Sequence, residues 1–182
     1  MTDEEFAAYC AEHPDLSFET TAEGETIVMP PTYSLTGFRN FELAGQLRDW
    51  AKKDGRGRGC GSSTGFVLPN GARRSPDAAW VLKSRIAELG SASLEQYWHL
   101  CPDFVIELKS AMDRHRIVQA KMREWVENGA QLGWLIDPRV RSVTIYRRGS
   151  AAEERRNVES VEGEGMVAGF VLDLAPIWNP LS

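Results

Sequence analysis

Hydrophobic residues recur along the chain with two periods, one of about two residues and one of three to four residues. The first period is typical of strands and the second of amphipathic helices. The strand pattern predicts seven strands: Leu16–Thr20, Thr26–Met29, Cys60–Leu68, Asp77–Leu82, residues 103–109, residues 133–138 and residues 142–148. The helical pattern predicts three helices: residues 2–12, Phe38–Lys53 and Met112–Asn128. A further polar segment, Lys83–Trp98, has a weaker helical tendency.

Glycine and proline mark the turns between several of these elements. Glu23-Gly24 and Asn70-Gly71 are typical of hairpins, so the first two predicted strands are expected to pair, and Cys60–Leu68 is expected to pair with Asp77–Leu82. Pro30-Pro31 ends the first hairpin. The stretch DGRGRGCGSSTG lacks the GxxxxGK[ST] pattern of a phosphate-binding loop. It is therefore interpreted as a loop that leads into a strand.

The two longer helices each have an apolar face, which is expected to pack against the core. In the first it comprises Phe41, Ala44, Leu47 and Trp50 or Ala51. In the second it comprises Ile117, Val118, Met122, Trp125 and Val126, and Gly129 ends the helix.

The composition narrows the class of protein. With 182 residues the chain is long enough to bury a core, and one domain over residues 1–182 is predicted. No apolar run approaches the roughly 18 residues of a membrane span, and the acidic start MTDEEFAAYC is unlike a secretory signal. The three cysteines have no CxxC spacing, which argues against a disulfide framework and indicates a reducing cytoplasm. The formal charge of −5 argues against a generally basic surface but not against a local basic patch.

The stretch CPDFVIELKS places charged residues inside an apolar run. In a strand over residues 103–109, the side chains of Asp103, Glu107 and Lys109 share one face, and the apolar Phe104 and its alternate neighbours take the other. Glu107 and Lys109 then lie roughly 7 Å apart. A carboxylate and an ammonium on one partly buried face suit a metal-dependent hydrolase, in which the carboxylate holds Mg²⁺ and the lysine orients or activates water.

A second carboxylate for the same ion is expected from another strand. Asp103 lies about 13 Å from Glu107 along the strand, whereas the ligands of one Mg²⁺ lie at about 2.0–2.1 Å from it. Asp103 is therefore interpreted as a residue that orients the start of the strand. Asp77, which follows Pro76 and opens the run AAWVL, is predicted to be the second ligand. The spacing alone is a weak signal, because a Glu107–Lys109 pair on an exposed strand gives the same pattern.

A series of short motifs runs through most of the chain. They are Glu19 through Met29-Pro30-Pro31, Ser75-Pro76-Asp77, Cys101-Pro102-Asp103, Glu107-Leu108-Lys109-Ser110, Lys121, Gly129, Gly133-Trp134-Leu135-Ile136-Asp137-Pro138 and Gly169-Phe170. Their order and spacing resemble the PD-(D/E)XK, or restriction-endonuclease-like, superfamily. More narrowly, the set is similar to the Uma-two family of bacterial endonucleases.

The resemblance implies an α/β fold with a restriction-endonuclease-like core, in which a mixed central β-sheet is flanked by helices. It implies that Asp77, Glu107 and Lys109 are catalytic and that Asp77 and Glu107 bind Mg²⁺ or Mn²⁺. Many relatives lack a lysine at the position of Lys109, so its presence favours an intact site. Glu42 matches a helical position where such nucleases often supply another acidic ligand, and Lys121 is a second supporting candidate. A solvated glutamate and a lysine that covers its own helix face are equal alternatives for these two residues.

The favoured function is therefore a Mg²⁺-dependent endonuclease that hydrolyses phosphodiester bonds of DNA, with water attacking phosphorus in line. Basic residues in loops beside the predicted strands are candidates to hold the DNA backbone, with solvated surface charges as the alternative: Lys52, Lys53, Arg56, Arg58, Arg73 and Arg74. One rival function is a non-cleaving module that binds nucleic acid or protein on a nuclease fold, and another is a structural or regulatory domain. Because two sites most simply cut both strands of a duplex, a homodimer is also expected.

Overall fold

A six-stranded mixed sheet forms the centre of the computed structural model, which describes residues 1–29, 31–90 and 95–182. The strands are β1 (Ser17–Thr20), β2 (Thr26–Met29), β3 (Gly57–Gly61), β4 (Phe66–Val67), β5 (Arg73–Arg74), β6 (Ala78–Leu82), β7 (Phe104–Leu108), β8 (Leu132–Asp137), β9 (Ser142–Arg147), β10 (Glu153–Arg156), β11 (Ser160–Glu162) and β12 (Val171–Asp173). The helices are α1 (Asp3–Glu12), α2 (Ser34–Asp54), α3 (Lys83–Glu88), α4 (His115–Glu127) and α5 (Ala175–Trp178), with a short 3₁₀ helix at Gly165–Val167.

The central sheet has the strand order β10-β9-β8-β7-β6-β3. Strands β7 and β8 run parallel, and the other neighbouring pairs are antiparallel. Parallel neighbours need a crossover connection, which α4 supplies. The fold is thus a mixed sheet flanked by helices, as predicted.

Both faces of β7 are buried, which explains the apolar character of this stretch. Phe104 and Ile106 belong to the core under α2 and the C-terminal segment, whereas Val105 belongs to a second core under α4. The prediction that Glu107 and Lys109 oppose the apolar face is confirmed, but that opposite face is itself covered. Glu107 is 5% exposed and Lys109 is 9% exposed. Both charges therefore require partners, because an unpaired charge in such a layer is costly.

The glycine-rich stretch predicted as a loop contains the edge strand β3, which pairs with β6 from Gly57↔Leu82 to Gly61↔Ala78. Trp80, which is fully buried, packs against this edge. A Cβ atom at Gly57 would lie 2.1 Å from the Trp80 ring, so any larger residue would displace the indole. Close approach of a neighbour explains a glycine inside a strand.

The two hairpin predictions had different outcomes. Strands β1 and β2 pair as expected, from Ser17↔Met29 to Thr20↔Thr26. Asn70-Gly71 also forms a turn, but the turn joins β4 to β5 in a separate four-stranded sheet of order β2-β1-β5-β4. The expected hairpin between Cys60–Leu68 and the strand after Asp77 was therefore wrong as a direct connection, although Cys60 and Gly61 at its start do pair with Ala79 and Ala78 of β6. Pro76 has no N–H to extend the ladder, and the chain moves to the central sheet directly after it.

The helices lie close to their predicted positions, although two apolar faces are rotated. The capping box of Thr2 and Glu5 forms at the start of α1. Helix α2 starts at Ser34 and buries Leu43, Leu47 and Ala51, together with Thr36, while Phe41 is 77% exposed. Helix α4 starts at His115 and buries Met122 and Trp125, while Ile117 is 62% exposed. The inclusion of Phe41 and Ile117 in the packed faces was wrong.

Two sequence predictions fall partly outside the described residues, namely Pro30 at the end of the first hairpin and residues 91–94 in the polar segment Lys83–Trp98. Within the described ranges, none of the helices combines the length and the apolar character that crossing a bilayer requires.

Candidate active site

The register between β6 and β7 brings two carboxylates side by side. Ala78 pairs with Ile106 and Ala79 with Val105 in this antiparallel ladder. Extending the register by one residue places Asp77 opposite Glu107. Directly opposed residues project from the same face, with Cβ atoms roughly 4.5–5.5 Å apart. The sequence-based expectation that Asp77 and Glu107 come from neighbouring strands therefore agrees with the geometry.

Asp77 is held at both carboxylate oxygens. Its Oδ2 accepts a hydrogen bond from the backbone N–H of Leu108 at 2.7 Å, and its Oδ1 accepts one from Nδ2 of Asn40 at 2.8 Å. Burial raises the pKa of Asp77, and the Leu108 N–H and the Lys121 charge counteract only part of this rise. The side chain is thus fixed in position, but its ionised form is costly in the absence of further positive charge.

Glu107 lies deeper in the same layer. Its Oε1 accepts a hydrogen bond from Nε1 of Trp125 at 2.8 Å and lies 2.9 Å from Nζ of Lys121. Burial raises the pKa of Glu107 to about 7, and the charges of Asp77 and Glu19 add to the rise, whereas Lys121 opposes it. Near neutral pH both the protonated and the ionised form of this carboxyl group are therefore populated, and a nearby cation would favour the ionised form.

Lys121 extends from α4 into the carboxylate layer. Besides Glu107, its Nζ donates to Oε1 of Glu19 at 2.8 Å and to the backbone oxygen of Ser75 at 2.9 Å. Burial alone would lower the pKa of Lys121, but the negative charges of Glu107 and Glu19 raise it. Lys121 therefore stays protonated. Its ammonium group connects three parts of the chain: β1, the segment that precedes β6, and strand β7.

Glu19 is the buried anchor of this lysine. Its carboxylate also accepts the N–H of Ser75 at 2.9 Å and a guanidinium hydrogen of Arg74 at 3.1 Å. Burial alone would raise the pKa of Glu19, but Lys121, the Ser75 N–H and Arg74 together lower it. The four-stranded sheet thus contributes a charged residue to the site through β1.

Lys109 lies beside a carboxylate that was not predicted to belong to the site. Its Nζ lies 3.3 Å from Oδ2 of Asp137, and His115 lies 3.9 Å from the same oxygen. The parallel register explains this contact, because Leu108 pairs with Ile136 and the next residues along both strands are neighbours. Of the two lysines predicted near the site, Lys121 is the one that contacts Glu107.

Helix α2 reaches the site through Asn40 and not through Glu42. The carboxylate of Glu42 accepts a hydrogen bond from Gln46 at 3.1 Å, and Gln46 in turn contacts the backbone of Asp173. Among the residues that the structure describes, no hydrogen bond or ion pair joins Glu42 to Asp77 or Glu107. Asn40 was not predicted as a site residue, although a polar residue on a helical stripe of buried side chains was a usable signal.

Asp103 lies at the other end of β7 and stabilises a junction there. Its Oδ2 accepts the N–H of Leu82 at 2.9 Å, and its Oδ1 accepts a guanidinium hydrogen of Arg85 at 2.7 Å. Both contacts tie the start of β7 to the end of β6 and to α3. This arrangement agrees with the interpretation of Asp103 as a residue that orients the strand.

Two of the basic residues considered for DNA contact are engaged within the protein. Arg74 is 9% exposed and pairs with Glu19 and Glu124, and Arg73 pairs with Asp3 at 2.6 Å. Their positive charges are therefore largely used in holding α1, β1 and α4 together. The other candidates have exposed side chains: Lys52, Lys53, Arg56 and Arg58. Of these, Arg56 also pairs with Asp54 at 2.6 Å.

The donor set at the site consists of two carboxylates. Within residues 1–29, 31–90 and 95–182, no group of three or more His, Cys, Asp and Glu side chains is arranged to hold a metal ion. An open groove of about 750 Å³ lies elsewhere, with walls that include Gln119, Arg123 and Tyr146, and neither Asp77 nor Glu107 lines it. The candidate site is thus recognised by its two adjacent carboxylates and not by a deep cavity.

Comparison with known proteins identifies related folds. The model of the Uma2 family, described as "Putative restriction endonuclease", matches residues 3–175. A crystal structure of "a putative nuclease belonging to DUF820 from Anabaena variabilis ATCC 29413" superposes with a TM-score of 0.80 at 20% sequence identity. The superposition covers 98% of this chain and 97% of that chain, and it shows that the two proteins share a fold. None of the curated proteins compared with the chain matches it.

Proposed function

The chain belongs to the Uma2 family, and we propose that it is a divalent-cation-dependent endonuclease that hydrolyses phosphodiester bonds of DNA. Family membership supports nuclease activity in general, and the cation and the DNA substrate are our proposals. The observation that supports both proposals is the β6–β7 register. In this register Asp77 lies opposite Glu107, and Lys121 contacts the Glu107 carboxylate.

Asp77 and Glu107 are the residues that would hold Mg²⁺ or Mn²⁺. Carboxylate oxygens are the ligands that such hard cations prefer. Burial raises the pKa of both groups, so a cation between them would offset the cost of their ionised forms. Both described contacts of Glu107 involve Oε1, which leaves Oε2 for a ligand. A bound ion would supply Lewis-acid polarisation of a phosphoryl oxygen and a more acidic water molecule.

In this proposal Lys121 takes the catalytic role that was predicted for Lys109. Its buried ammonium lies beside the carboxylate that would bind the ion, so it can stabilise negative charge that develops on the phosphate. Lys109 lies 3.3 Å from Asp137, and among the described residues no ion pair joins it to Asp77 or Glu107. Trp125 orients the Glu107 carboxylate through its indole N–H. Glu19 acts as a positioning residue, because it holds Lys121 and keeps it charged.

The test is cleavage of labelled DNA in single-stranded, duplex and supercoiled plasmid forms with Mg²⁺ or Mn²⁺. Wild-type protein should cut DNA, and Asp77→Asn and Glu107→Gln should lose cleavage and weaken cation binding measured by calorimetry. DNA binding measured in Ca²⁺ should persist in both variants. A wild-type protein that binds DNA but cuts none of these forms would favour the non-cleaving module. Appearance of linear plasmid before nicked plasmid would support the predicted homodimer.

A further inference from the structure

Helix α2 carries one carboxamide on its buried stripe. Thr36, Leu43, Leu47 and Ala51 are buried and follow each other at helical spacing, and Asn40 falls on the same stripe between the first two. Asn40 is half-buried, and any of its polar atoms that lose hydration there need partners. The partners of Asn40 therefore indicate why an amide occupies this place.

Among the described residues, only one end of the Asn40 carboxamide has a hydrogen-bond partner. Its Nδ2 donates to Oδ1 of Asp77 at 2.8 Å. Its Oδ1 is buried and has no hydrogen-bond partner among the described residues. A buried carbonyl oxygen without a donor is uncommon in folded proteins, and such an atom calls for an explanation such as a water molecule or an ion.

We infer that the carbonyl oxygen of Asn40 is a third oxygen donor for the divalent cation held by Asp77 and Glu107, an inference that rests on the proposed function. Amide carbonyl oxygens are ligands of the same hard class as carboxylates. Asn40 contacts the Asp77 carboxylate directly, so its amide lies within reach of an ion on that carboxylate. Without an ion, the amide places its nitrogen toward Asp77, since two oxygens would repel each other. A cation bound to Asp77 would attract the amide oxygen, so the amide would turn its oxygen toward the ion.

Glu42 does not compete for this position. It lies two residues beyond Asn40, about 200° around a helix of 3.6 residues per turn. Its carboxylate accepts from Gln46, which contacts the backbone of Asp173 on β12. The metal ligand that α2 would supply is therefore the oxygen of a neutral amide and not the acidic residue expected from the resemblance.

The substitution of Asn40 by two different residues separates ligation from simple hydrogen bonding. Asn40→Ala removes both the N–H donor and the oxygen, whereas Asn40→Asp removes the donor but retains an oxygen with added negative charge. Asn40→Ala should weaken Mn²⁺ binding about tenfold or more, the range typical of groups that support a metal site. Asn40→Asp should bind Mn²⁺ at least as tightly as the wild type. Glu42→Gln is the matched control on the same helix, and its affinity should equal that of the wild type.

The measurement is calorimetric titration with Mn²⁺ in the absence of DNA, together with the rise in thermal unfolding temperature on addition of Mn²⁺. A larger Mn²⁺-induced rise in Asn40→Asp than in the wild type would support ligation, even if Asn40→Ala were unstable. Equal weakening in Asn40→Asp and Asn40→Ala would overturn the inference and leave Asn40 as a hydrogen-bond donor to Asp77. Unchanged binding in Asn40→Ala, with binding lost in Asp77→Ala and Glu107→Ala, would overturn this inference alone. Absence of binding by the wild type would overturn it together with the proposed function.

Discussion

The ammonium of Lys121 lies 2.9 Å from the carboxylate of Glu107, although the two residues belong to different elements, α4 and β7. The nearer lysine in sequence, Lys109, is paired with Asp137 instead. A nuclease that uses this site would therefore draw its lysine from the helix that crosses between the two parallel strands.

The first prediction compares the two lysines with matched substitutions. Lys121→Met should lower the single-turnover rate of DNA cleavage by about 10²–10³-fold, the usual loss when one group that stabilises the transition state is removed. Lys109→Met should retain most of the rate, because its partner Asp137 is not one of the proposed ligands. Cleavage is measured at saturating protein and Mg²⁺, and DNA binding is measured separately in Ca²⁺. Near-wild-type cleavage by Lys121→Met, with loss in Lys109→Met, would restore the role predicted from the sequence.

The second prediction concerns Glu19, which contacts Lys121 at 2.8 Å. Glu19→Gln retains an oxygen acceptor but removes the charge that helps to raise the Lys121 pKa. Cleavage should fall by about tenfold or more, as for other supporting groups. The alkaline limb of the pH–rate profile should also move to lower pH, because Lys121 loses its proton more easily. A purely structural role would lower thermal stability without moving that limb, so the profile decides between the two roles.

The third prediction follows from the pKa of Glu107, which burial raises to about 7. Cation binding requires the ionised carboxylate, so Mn²⁺ affinity should rise as the pH increases toward 7 and level off above it. Below 7, each pH unit should change the affinity by up to about tenfold. Calorimetry in two buffers with different protonation enthalpies should detect proton release on binding at pH 6. An affinity that is flat across this range would contradict the assignment of Glu107 as a ligand.

The same raised pKa predicts how the metal-free protein responds to pH. The folded state binds more protons at Glu107 than the unfolded state between the usual glutamate pKa of 4.5 and about 7. Its contribution to stability is therefore full below 4.5 and is lost as the pH rises through 7. Denaturant unfolding of the wild type should show this decline in the free energy of unfolding, and Glu107→Gln should show a smaller one. A decline of equal size in both proteins would assign the effect to other groups.

The last prediction separates the two Pro-Asp dipeptides. Asp103→Ala leaves the N–H of Leu82 without its acceptor and removes the partner of Arg85. The free energy of unfolding should fall by about 1–3 kcal/mol, the usual cost of an unmet buried hydrogen bond. Mn²⁺ affinity should stay at the wild-type level, because Asp103 lies at the opposite end of β7 from Glu107. Loss of Mn²⁺ binding in a folded Asp103→Ala variant would show that the choice of Asp77 was wrong.

The local periodicity of hydrophobic and polar residues was sufficient to predict much of the fold. The alternation in CPDFVIELKS predicted β7 and the face shared by Glu107 and Lys109, and the same reasoning about distance along a strand favoured Asp77 over Asp103 as the co-ligand. Turn chemistry likewise predicted the pairing of β1 with β2. The predictions of β7, of its shared face and of the β1–β2 pairing succeeded because they depend on side-chain direction and turn geometry within a few residues. The assignment of Asp77 and Glu107 as metal ligands stays a prediction.

The partners of the charged residues were decided only by the tertiary structure. Sequence spacing predicted that Lys109 lies next to Glu107. The parallel register with β8 instead places Lys109 beside Asp137, and the orientation of α4 brings Lys121 to Glu107. In the same way, the packing of α2 turns Asn40 toward Asp77. Strand register and helix orientation are set by packing over the whole core, so they cannot be predicted from a short stretch of sequence. The sequence by itself determined which strands hold the carboxylates, and the tertiary structure determined which lysine and which helix residue reach them.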